Sequence, residues 1–222
     1  MKPTIVIYTD IKFDDECYPR QAYDRSHAAR IADAIAAGQE IPPIVLEHGT
    51  NVCVDGFHRC RAFFRIFGKD AVIPCVYRKF KNRRELILEA ARLNATHGKS
   101  LSTCDRAHFG AIARRNGIKD ADAALALSMT EKDYDALLSS RLAFSTKDTT
   151  SPDVSLKSTV KHLAGKTLTK QQREANVKLG GMRQVFYVNQ VILLLRSNMV
   201  DRSDESVMEA LVKLREALDS FL

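Results

Sequence analysis

Five consecutive residues, Asp55-Gly56-Phe57-His58-Arg59, combine the residue types that bind phosphate. They follow a strand-like apolar run and open a helical pattern, so free backbone N–H groups and the positive end of a helix dipole would face a ligand there. Glycine lets the backbone approach closely, and arginine offers a forked donor that suits phosphate oxygens. We therefore predict a phosphate-binding strand–turn–helix formed by Asp55, Gly56, His58, Arg59 and Arg61.

Arg59 and Arg61 are placed unfavourably unless an anion is bound. Cations near a helix N-terminus oppose the dipole, at a cost of about 0.3 kcal/mol or more. This mismatch favours a ligand. One alternative is an ordinary turn in which Asp55 caps the helix and the arginines extend into solvent. Another is an enzyme in which His58 is the catalytic residue, because histidine can act as a general acid or base near neutral pH.

The elements around this turn follow a mixed α/β order. Short apolar runs predict strands at residues 5–8, 44–46, 52–54 and 71–77. Helical periodicity closed by glycine predicts two helices, at residues 26–37 with Ser26 as N-cap and at residues 57–67. The predicted order is therefore strand, helix, hairpin, helix and strand. This order differs from that of a doubly wound Rossmann sheet.

Beyond residue 80 the sequence is helical. Apolar periodicity and capping residues predict helices at residues 83–94, 102–115, 120–127, 131–143, 169–179, 185–198 and 203–222. Residues 144–158 are rich in Ser, Thr, Asp and Pro, which favours a linker. The predicted fold class is α+β: a mixed-sheet domain at 1–80, a helical region at 81–145, a linker at 146–168 and C-terminal helices at 169–222.

Four motifs in order resemble the N-terminal domain of the ParB/sulfiredoxin superfamily, over about residues 5–80. They are Tyr18-Pro19-Arg20, the segment Gly38–Val45, the segment Val54–Ala62, and Ile73-Pro74-Cys75-Val76. The ParB turn is Gly-Glu-Arg-Arg-x-Arg-Ala and binds the phosphates of CTP. The resemblance implies CTP or ATP with Mg²⁺ as ligand. It adds Arg20, from the early arginine motif, and Asn94, from a segment after the core, to the nucleotide-binding residues.

The chain departs from the family pattern at three positions. Phe57 replaces the ParB glutamate, and it also stands where sulfiredoxin has its catalytic cysteine, so sulfiredoxin activity is not expected. His58 replaces the first ParB arginine, and Leu93 replaces the glutamate of a Glu-Asn pair. Phosphate binding is therefore the core prediction, and CTP is the first nucleotide to test.

The charge distribution favours a nucleic-acid partner. The formal net charge is +7, and residues 78–119 hold eleven Lys/Arg against three Asp/Glu. Residues 121–141 have a helix–turn–helix pattern, whose second helix would enter a major groove. The predicted DNA-binding residues are Arg106, Arg114, Arg115, Lys132 and Arg141. The alternative is a degenerate helix–turn–helix that only packs, because Glu131 and Asp133 are acidic.

Several classes of protein are not indicated. The five cysteines include no CxxC pair, so we expect reduced, mostly buried thiols and no zinc site. No metal-ligating set of carboxylates is evident. The chain has no long apolar run and no signal peptide, so we predict a cytoplasmic protein without a membrane partner. The C-terminal helices are candidates for a homodimer contact.

The leading hypothesis is a ParB-like DNA-binding protein, of phage, plasmid or chromosomal origin, with a nucleotide- or phosphate-binding N-terminal domain. The rival is a phosphotransferase or nuclease of the same superfamily that uses His58 at the turn. A third alternative is an interaction protein without either activity.

Overall fold

The computed structural model describes residues 4–96, 99–147, 152–180 and 182–222. The chain divides into two compact units, Met1–Leu179 and Gly180–Leu222. His97 and Gly98 of the predicted break after residue 94, and residues 148–151 of the predicted linker, lie outside the described residues.

The first unit begins with a four-stranded mixed sheet. Its strands are β1 (Thr4–Ile7), β2 (Ile44–Glu47), β3 (Cys53–Asp55) and β4 (Val72–Arg78), in the order β1-β4-β2-β3. β1 pairs antiparallel with β4, β2 pairs parallel with β4, and β2 and β3 form the predicted antiparallel hairpin. β3 ends at Asp55, two residues before Phe57, where the next helix begins.

Two helices accompany this sheet, α1 (Arg25–Ala36) and α2 (Phe57–Phe67). The N-cap of α1 is Asp24, whose carboxylate accepts the His27 backbone N–H at 2.9 Å. The prediction of Ser26 as the cap was therefore wrong by two residues, since an upstream aspartate caps at least as well as serine. Gly68 ends α2, as predicted.

The sheet is covered on both faces. On one face, buried strand residues form a core with Cys60 of α2: Val6, Ile44, Leu46, Cys53, Ile73 and Cys75. On the other face, Val45 and Val54 belong to the larger core that includes Leu86 and Ile87. All five cysteines are free thiols and four are buried, which confirms that prediction.

The helical region packs against the second face. Its helices are α3 (Arg83–Thr96), α4 (Thr103–Arg115), α5 (Asp120–Ala126) and α6 (Glu131–Arg141). Ser102 and Asp105 form a capping box at the start of α4. α4 and α6 cross closely at Gly110, where an added Cβ would lie 2.3 Å from Leu138 Cδ2. The sheet and the helices together confirm the α+β class.

The described part of the predicted linker is packed rather than extended. β5 (Leu142–Ala143) pairs antiparallel with β6 (Val154–Ser155), and α7 (Lys170–Lys178) follows. Leu156 and Leu168 are buried with Ala143 in a small core of their own. Composition favoured a loop because Ser, Thr and Asp are frequent, but Val154, Val160 and Leu163 also pack against this small core.

The second unit consists of α8 (Gln184–Arg196) and α9 (Glu205–Phe221). The carboxylate of Asp204 caps α9, whereas Ser203, the predicted cap, bonds to Asp201 instead. No residue of this unit is buried within its described part, 180 and 182–222. Across the described chain, no helix is long and apolar enough to cross a membrane.

Candidate functional site

A cavity of about 600 Å³ opens beside the N-terminus of α2. That volume is within the range of small-molecule sites. Its apolar wall contains Ile31, Ile41, Pro42, Pro43, Val45, Phe57 and Leu93. Its polar wall contains Tyr18, Arg20, His27, Asp55, His58, Arg59, Arg78, Asn94 and Lys99. Arg20, Asp55, Gly56, His58, Arg59 and Asn94, all predicted from the sequence, line this one cavity.

Arg20 lies in the wall of the cavity and is only 6% exposed. Its Nη2 donates to the backbone oxygen of Lys99 at 2.5 Å, and its Nη1 lies 4.0 Å from the Asp105 carboxylate. Its Nε is buried and has no hydrogen-bond partner among the described residues. A buried cationic donor without a partner is costly unless a ligand satisfies it.

The turn into α2 places unpaired donors beside the same cavity. Gly56 is the N-cap, with φ of 110°, and no side chain caps the helix within the described part. The first intrahelical bond runs from Cys60 N–H to Gly56 O at 2.9 Å. The N–H groups of residues 57–59 therefore lack intrahelical acceptors. They supply the positive helix terminus expected of a phosphate site.

Arg59 lines the cavity, but its guanidinium is already engaged. Nη1 donates to the carbonyls of Pro42 and Pro43 at 2.9 and 2.8 Å, and Nη2 binds the Asp55 carboxylate at 2.6 Å. Arg59 therefore fixes the loop before β2 onto the turn. Its positive charge lies at the cavity wall, but its donors are used within the protein.

Arg61 lies outside the cavity. It is exposed, it donates to the Tyr8 hydroxyl at 2.7 Å, and its guanidinium lies 4.9 Å from the centre of the Phe13 ring. Residues two apart on a helix point about 200° away from each other. Arg59 and Arg61 therefore cannot both serve one site.

His58 is buried against aromatic neighbours. Its ring stacks on Tyr23 at 5.2 Å and meets His27 edge-on at 4.9 Å. Its Nε2 is 3.4 Å from the Tyr18 hydroxyl. Burial lowers the pKa of His58 to about 4, and the nearby His27 and Arg20 add to that effect. Burial also lowers the pKa of His27. Both rings are neutral donors or acceptors at neutral pH.

Acidification should therefore destabilise the protein through His58. An unfolded histidine takes up a proton near pH 6.5, whereas folded His58 does so only near pH 4, so stability falls as the pH drops between these values. We expect the free energy of unfolding to be about 2 kcal/mol lower at pH 5 than at neutral pH from this residue. Urea unfolding of the wild type and of His58→Gln at both pH values measures it. An identical pH dependence in the two proteins would contradict the assignment.

Sequence reasoning missed several residues of the cavity. Lys99 forms an ion pair with Asp24, and its side-chain hydrogen bond lowers the pKa of that carboxyl. Arg78 pairs with Glu89, which is also bound by Arg92. Lys99 and Arg78 lie far in sequence from the turn at residues 55–59, so no local sequence pattern indicates that they line the same cavity. Tyr18, Pro42 and Pro43, by contrast, lie within motifs already noted and could have been found from them.

The predicted metal chemistry has little support from the polar wall. Asp55 is the carboxylate that lines the cavity, and it is paired with Arg59. Within the described ranges, no group of three or more His, Cys, Asp or Glu side chains is arranged to hold a metal ion. If Mg²⁺ accompanies a nucleotide, its ligands would be mainly phosphate oxygens and water.

Three of the five predicted DNA-binding side chains are engaged within the protein. Arg106 donates to the Leu127 carbonyl at 2.6 Å, Arg114 binds Asp120 at 2.9 Å, and Arg141 donates to the Ser158 hydroxyl at 3.0 Å. Arg115 and Lys132 are exposed. The helix–turn–helix elements exist as α5 and α6. The exposed face of α6 is acidic, with Glu131, Asp133 and Asp135 beside Lys132.

Comparison with known proteins gives several structural neighbours. No protein-family model matches the chain, and no curated protein does. The pNOB8-like ParB N-domain is similar at 14% identity and a TM-score of 0.47, covering 62% of this chain and 63% of its own. C-terminally truncated ParB from Caulobacter crescentus, complexed to the centromeric parS site, is similar at 12% identity and a TM-score of 0.44. The match covers 65% of this chain and 73% of that one.

A second Caulobacter crescentus structure, the truncated ParB complexed with CTP-γ-S, is similar at 11% identity and a TM-score of 0.38, over 62% of this chain and 77% of that one. The chain thus spans less than two thirds of the pNOB8-like domain.

Proposed function

We propose that this protein binds a nucleotide, or another phosphate compound, in the cavity at the start of α2. The observation that carries the proposal is Arg20, a buried arginine that lines the cavity and whose Nε has no hydrogen-bond partner among the described residues. Phosphate oxygens at the α2 N-terminus would accept from the N–H groups of residues 57–59 and from Arg20, with Lys99 adding charge. The apolar wall around Pro42 and Pro43 would hold the base or sugar.

A binding screen tests this proposal. Purified protein is titrated with CTP, ATP, GTP, UTP and inorganic phosphate, with and without magnesium, by calorimetry. We expect saturable binding of at least one nucleotide, with CTP tested first because the motifs resemble ParB. Absence of binding to every nucleotide and to phosphate would overturn the proposal.

We further propose DNA binding by the helical region, α3 to α6. The support is the excess of basic residues in residues 78–119 and the exposed cations of the described helical region, which include Arg115 and Lys132. Since Arg106, Arg114 and Arg141 are engaged within the protein, the phosphate contacts would come from exposed cations such as Arg115 and Lys132. Affinity should then be modest and strongly dependent on salt. A role in partition or regulation, and a cytoplasmic location, remain predictions.

Removing Arg115 and Lys132 should flatten the salt dependence. We expect Arg115→Ala/Lys132→Ala to bind duplex DNA more weakly and to reduce the slope of log K against log salt by about 1.8, at 0.9 for each phosphate contact. Lys161→Ala/Lys170→Ala, which also removes two exposed cations but outside α3 to α6, is the matched control. Mobility-shift titrations across salt concentrations measure both. Equal effects of the two variants would show that only net charge matters.

The rival enzyme hypothesis is less well supported by the geometry. With its pKa near 4, His58 is a neutral but weak base at neutral pH. A phosphotransferase or nuclease would show turnover that His58→Ala abolishes, whereas a binding module would show binding without turnover. Incubation with CTP, ATP or supercoiled plasmid plus magnesium distinguishes the two.

We also propose that a second copy covers the C-terminal unit. α8 is mostly apolar and exposed, with Val188 57%, Leu193 57% and Leu195 50% exposed. Such a helix normally requires a partner. A symmetric dimer is the commonest arrangement.

A charge on α8 should therefore dissociate the dimer. We expect Leu193→Asp to be a monomer at concentrations where the wild type is a dimer, because the carboxylate would be buried without a partner. Gln190→Asp, at an exposed polar position of the same helix, should leave the dimer intact. Light scattering after size exclusion gives the masses, and a monomeric wild type would refute the proposal.

A further inference from the structure

The outer face of α2 carries a set of charges that the cavity does not use. Six arginines of the first unit form ion pairs: Arg20, Arg59, Arg78, Arg83, Arg92 and Arg114. Arg25, Arg61 and Arg65 are exposed, and none of the three has a carboxylate partner among the described residues. Arg61 and Arg65 are four residues apart, so they lie on one side of the helix.

Aromatic rings lie between these arginines. Tyr8 packs against Phe64 with ring centres 4.7 Å apart, and it accepts the hydrogen bond from Arg61. Tyr23 is 42% exposed and Phe64 is 38% exposed. One face of the Tyr23 ring stacks on His58, so its exposed part faces away from the cavity.

Electrostatic effects place Tyr23 among the same cations. Burial raises the pKa of Tyr23, and the positive charges of Arg61, Arg65 and Arg25 oppose that rise. Tyr8, Arg61 and Phe64 are in contact, and Arg65 lies one turn along α2 from Arg61. Together with the nearby Tyr23 and Arg25 they define the aromatic–arginine surface, which consists of Tyr8, Tyr23, Arg25, Arg61, Phe64 and Arg65.

We propose that the aromatic–arginine surface binds a single-stranded nucleic acid. Unpaired arginines of one sign match a phosphate backbone, and exposed rings offer faces on which unpaired bases stack. A duplex hides its base faces, so it could use only the arginines. An acidic peptide would also use the charges, but it has no planar groups to match the rings. Arg61 keeps donors free for phosphate, since within the described chain only its Nη1 has a hydrogen-bond partner.

This surface differs from the proposed nucleotide cavity and from the helical region. Arg25, Arg61 and Arg65 do not line the cavity. Nucleotide binding should therefore be unaffected by changes at Arg65 or Phe64. Measuring both ligands on the same variants separates a failure of this proposal from a failure of the proposed function.

Fluorescence anisotropy of the full chain with labelled oligonucleotides tests the proposal. The oligonucleotides have about 15 nucleotides, which is near the largest site size of known single-strand-binding folds. Oligodeoxythymidine and oligouridine distinguish DNA from RNA, and a duplex of equal length is the third probe. For the wild type we expect a slope of log K against log salt of about −2, at 0.7 for each of three arginine contacts.

Two variants separate charge from stacking. Arg65→Ala should reduce the slope by about 0.7. Phe64→Leu should weaken binding about tenfold and leave the slope unchanged, because a ring is lost but no charge is. Lys170→Ala is the control for net charge and should have little effect.

Three results would overturn the proposal. The first is no binding of either oligomer at low salt, and the second is an equal loss in Lys170→Ala and Arg65→Ala. The third is that the duplex binds, or an acidic peptide competes, as strongly as the single strands do, while Phe64→Leu binds the single strands as well as the wild type does. That result would assign the surface to charge recognition alone.

Discussion

Arg20→Ala is expected to lower the affinity for a nucleoside triphosphate about a hundredfold. A hydrogen bond to a charged group contributes about 1.5–3 kcal/mol, and a loss of 1.4 kcal/mol is tenfold in affinity. Arg20 is 6% exposed and lines the cavity, and its guanidinium is already held by the Lys99 carbonyl and the Asp105 carboxylate. The guanidinium is therefore preorganised, and little entropy is lost when a phosphate binds.

Two further variants make this result specific. Arg20→Lys keeps the charge but loses the fork, so we expect an intermediate loss of about tenfold. Arg84→Ala removes another arginine that donates to a carbonyl, that of Asn116 at 3.0 Å, and should leave nucleotide affinity unchanged. Calorimetric titration measures all three, with circular dichroism to check folding. Unchanged affinity in folded Arg20→Ala would remove Arg20 from the site.

The second large effect is expected at Gly56. An alanine there would place its Cβ 2.5 Å from Ile44 Cγ2 and 2.9 Å from Ile44 Cβ, at a φ of 110° that side chains rarely adopt. Ile44 is fully buried and β-branched, so it cannot rotate away. Backbone strain and overpacking together should lower the free energy of unfolding by about 3 kcal/mol.

Gly49 provides a matched control for the strain alone. Its φ is 91°, but nothing lies within 4 Å of an added Cβ. Gly49→Ala should therefore cost about 1 kcal/mol. Urea unfolding of both variants gives the difference, and equal losses would show that the approach of Gly56 to Ile44 is not tight. In the folded fraction of Gly56→Ala, nucleotide affinity should also fall, because the first turn of α2 must shift.

The strand–turn–helix was predictable because its signals are local. An apolar run followed by Asp-Gly predicts that a strand ends and a helix starts, and the structure has β3 ending at Asp55 and α2 starting at Phe57. The hairpin before it and Gly68 after it were predicted in the same way. The α+β class followed from the order of these elements.

The roles of the two arginines were only partly predictable. Helical spacing alone separates Arg59 from Arg61 by about 200°, so their placement on different faces could have been deduced. The hydrogen bonds from Arg59 to the Pro42 and Pro43 carbonyls could not have been deduced, because these acceptors lie 17 and 16 residues away in sequence. Local pattern does not specify such a contact.

His27 and Lys99 were missed for a different reason. His27 belongs to a helix whose apolar residues are mostly alanine, so its inward direction had no periodic signal. Lys99 follows a polar break and resembles any solvated lysine. Both enter the cavity only because α1 and the α3–α4 connection meet at the start of α2. Such convergence requires the three-dimensional fold.

The most direct test is a nuclear magnetic resonance titration of the ¹⁵N-labelled protein with CTP, and with any nucleotide that calorimetry favours. If phosphate binds at the α2 N-terminus, saturable shifts should be largest for the backbone amides of residues 57–59 and for the Arg20 Nε–H. Amides around Arg65, on the aromatic–arginine surface, should change little. Absence of saturable shifts at residues 57–59, or shifts confined to the Arg61–Arg65 face, would contradict the central claim.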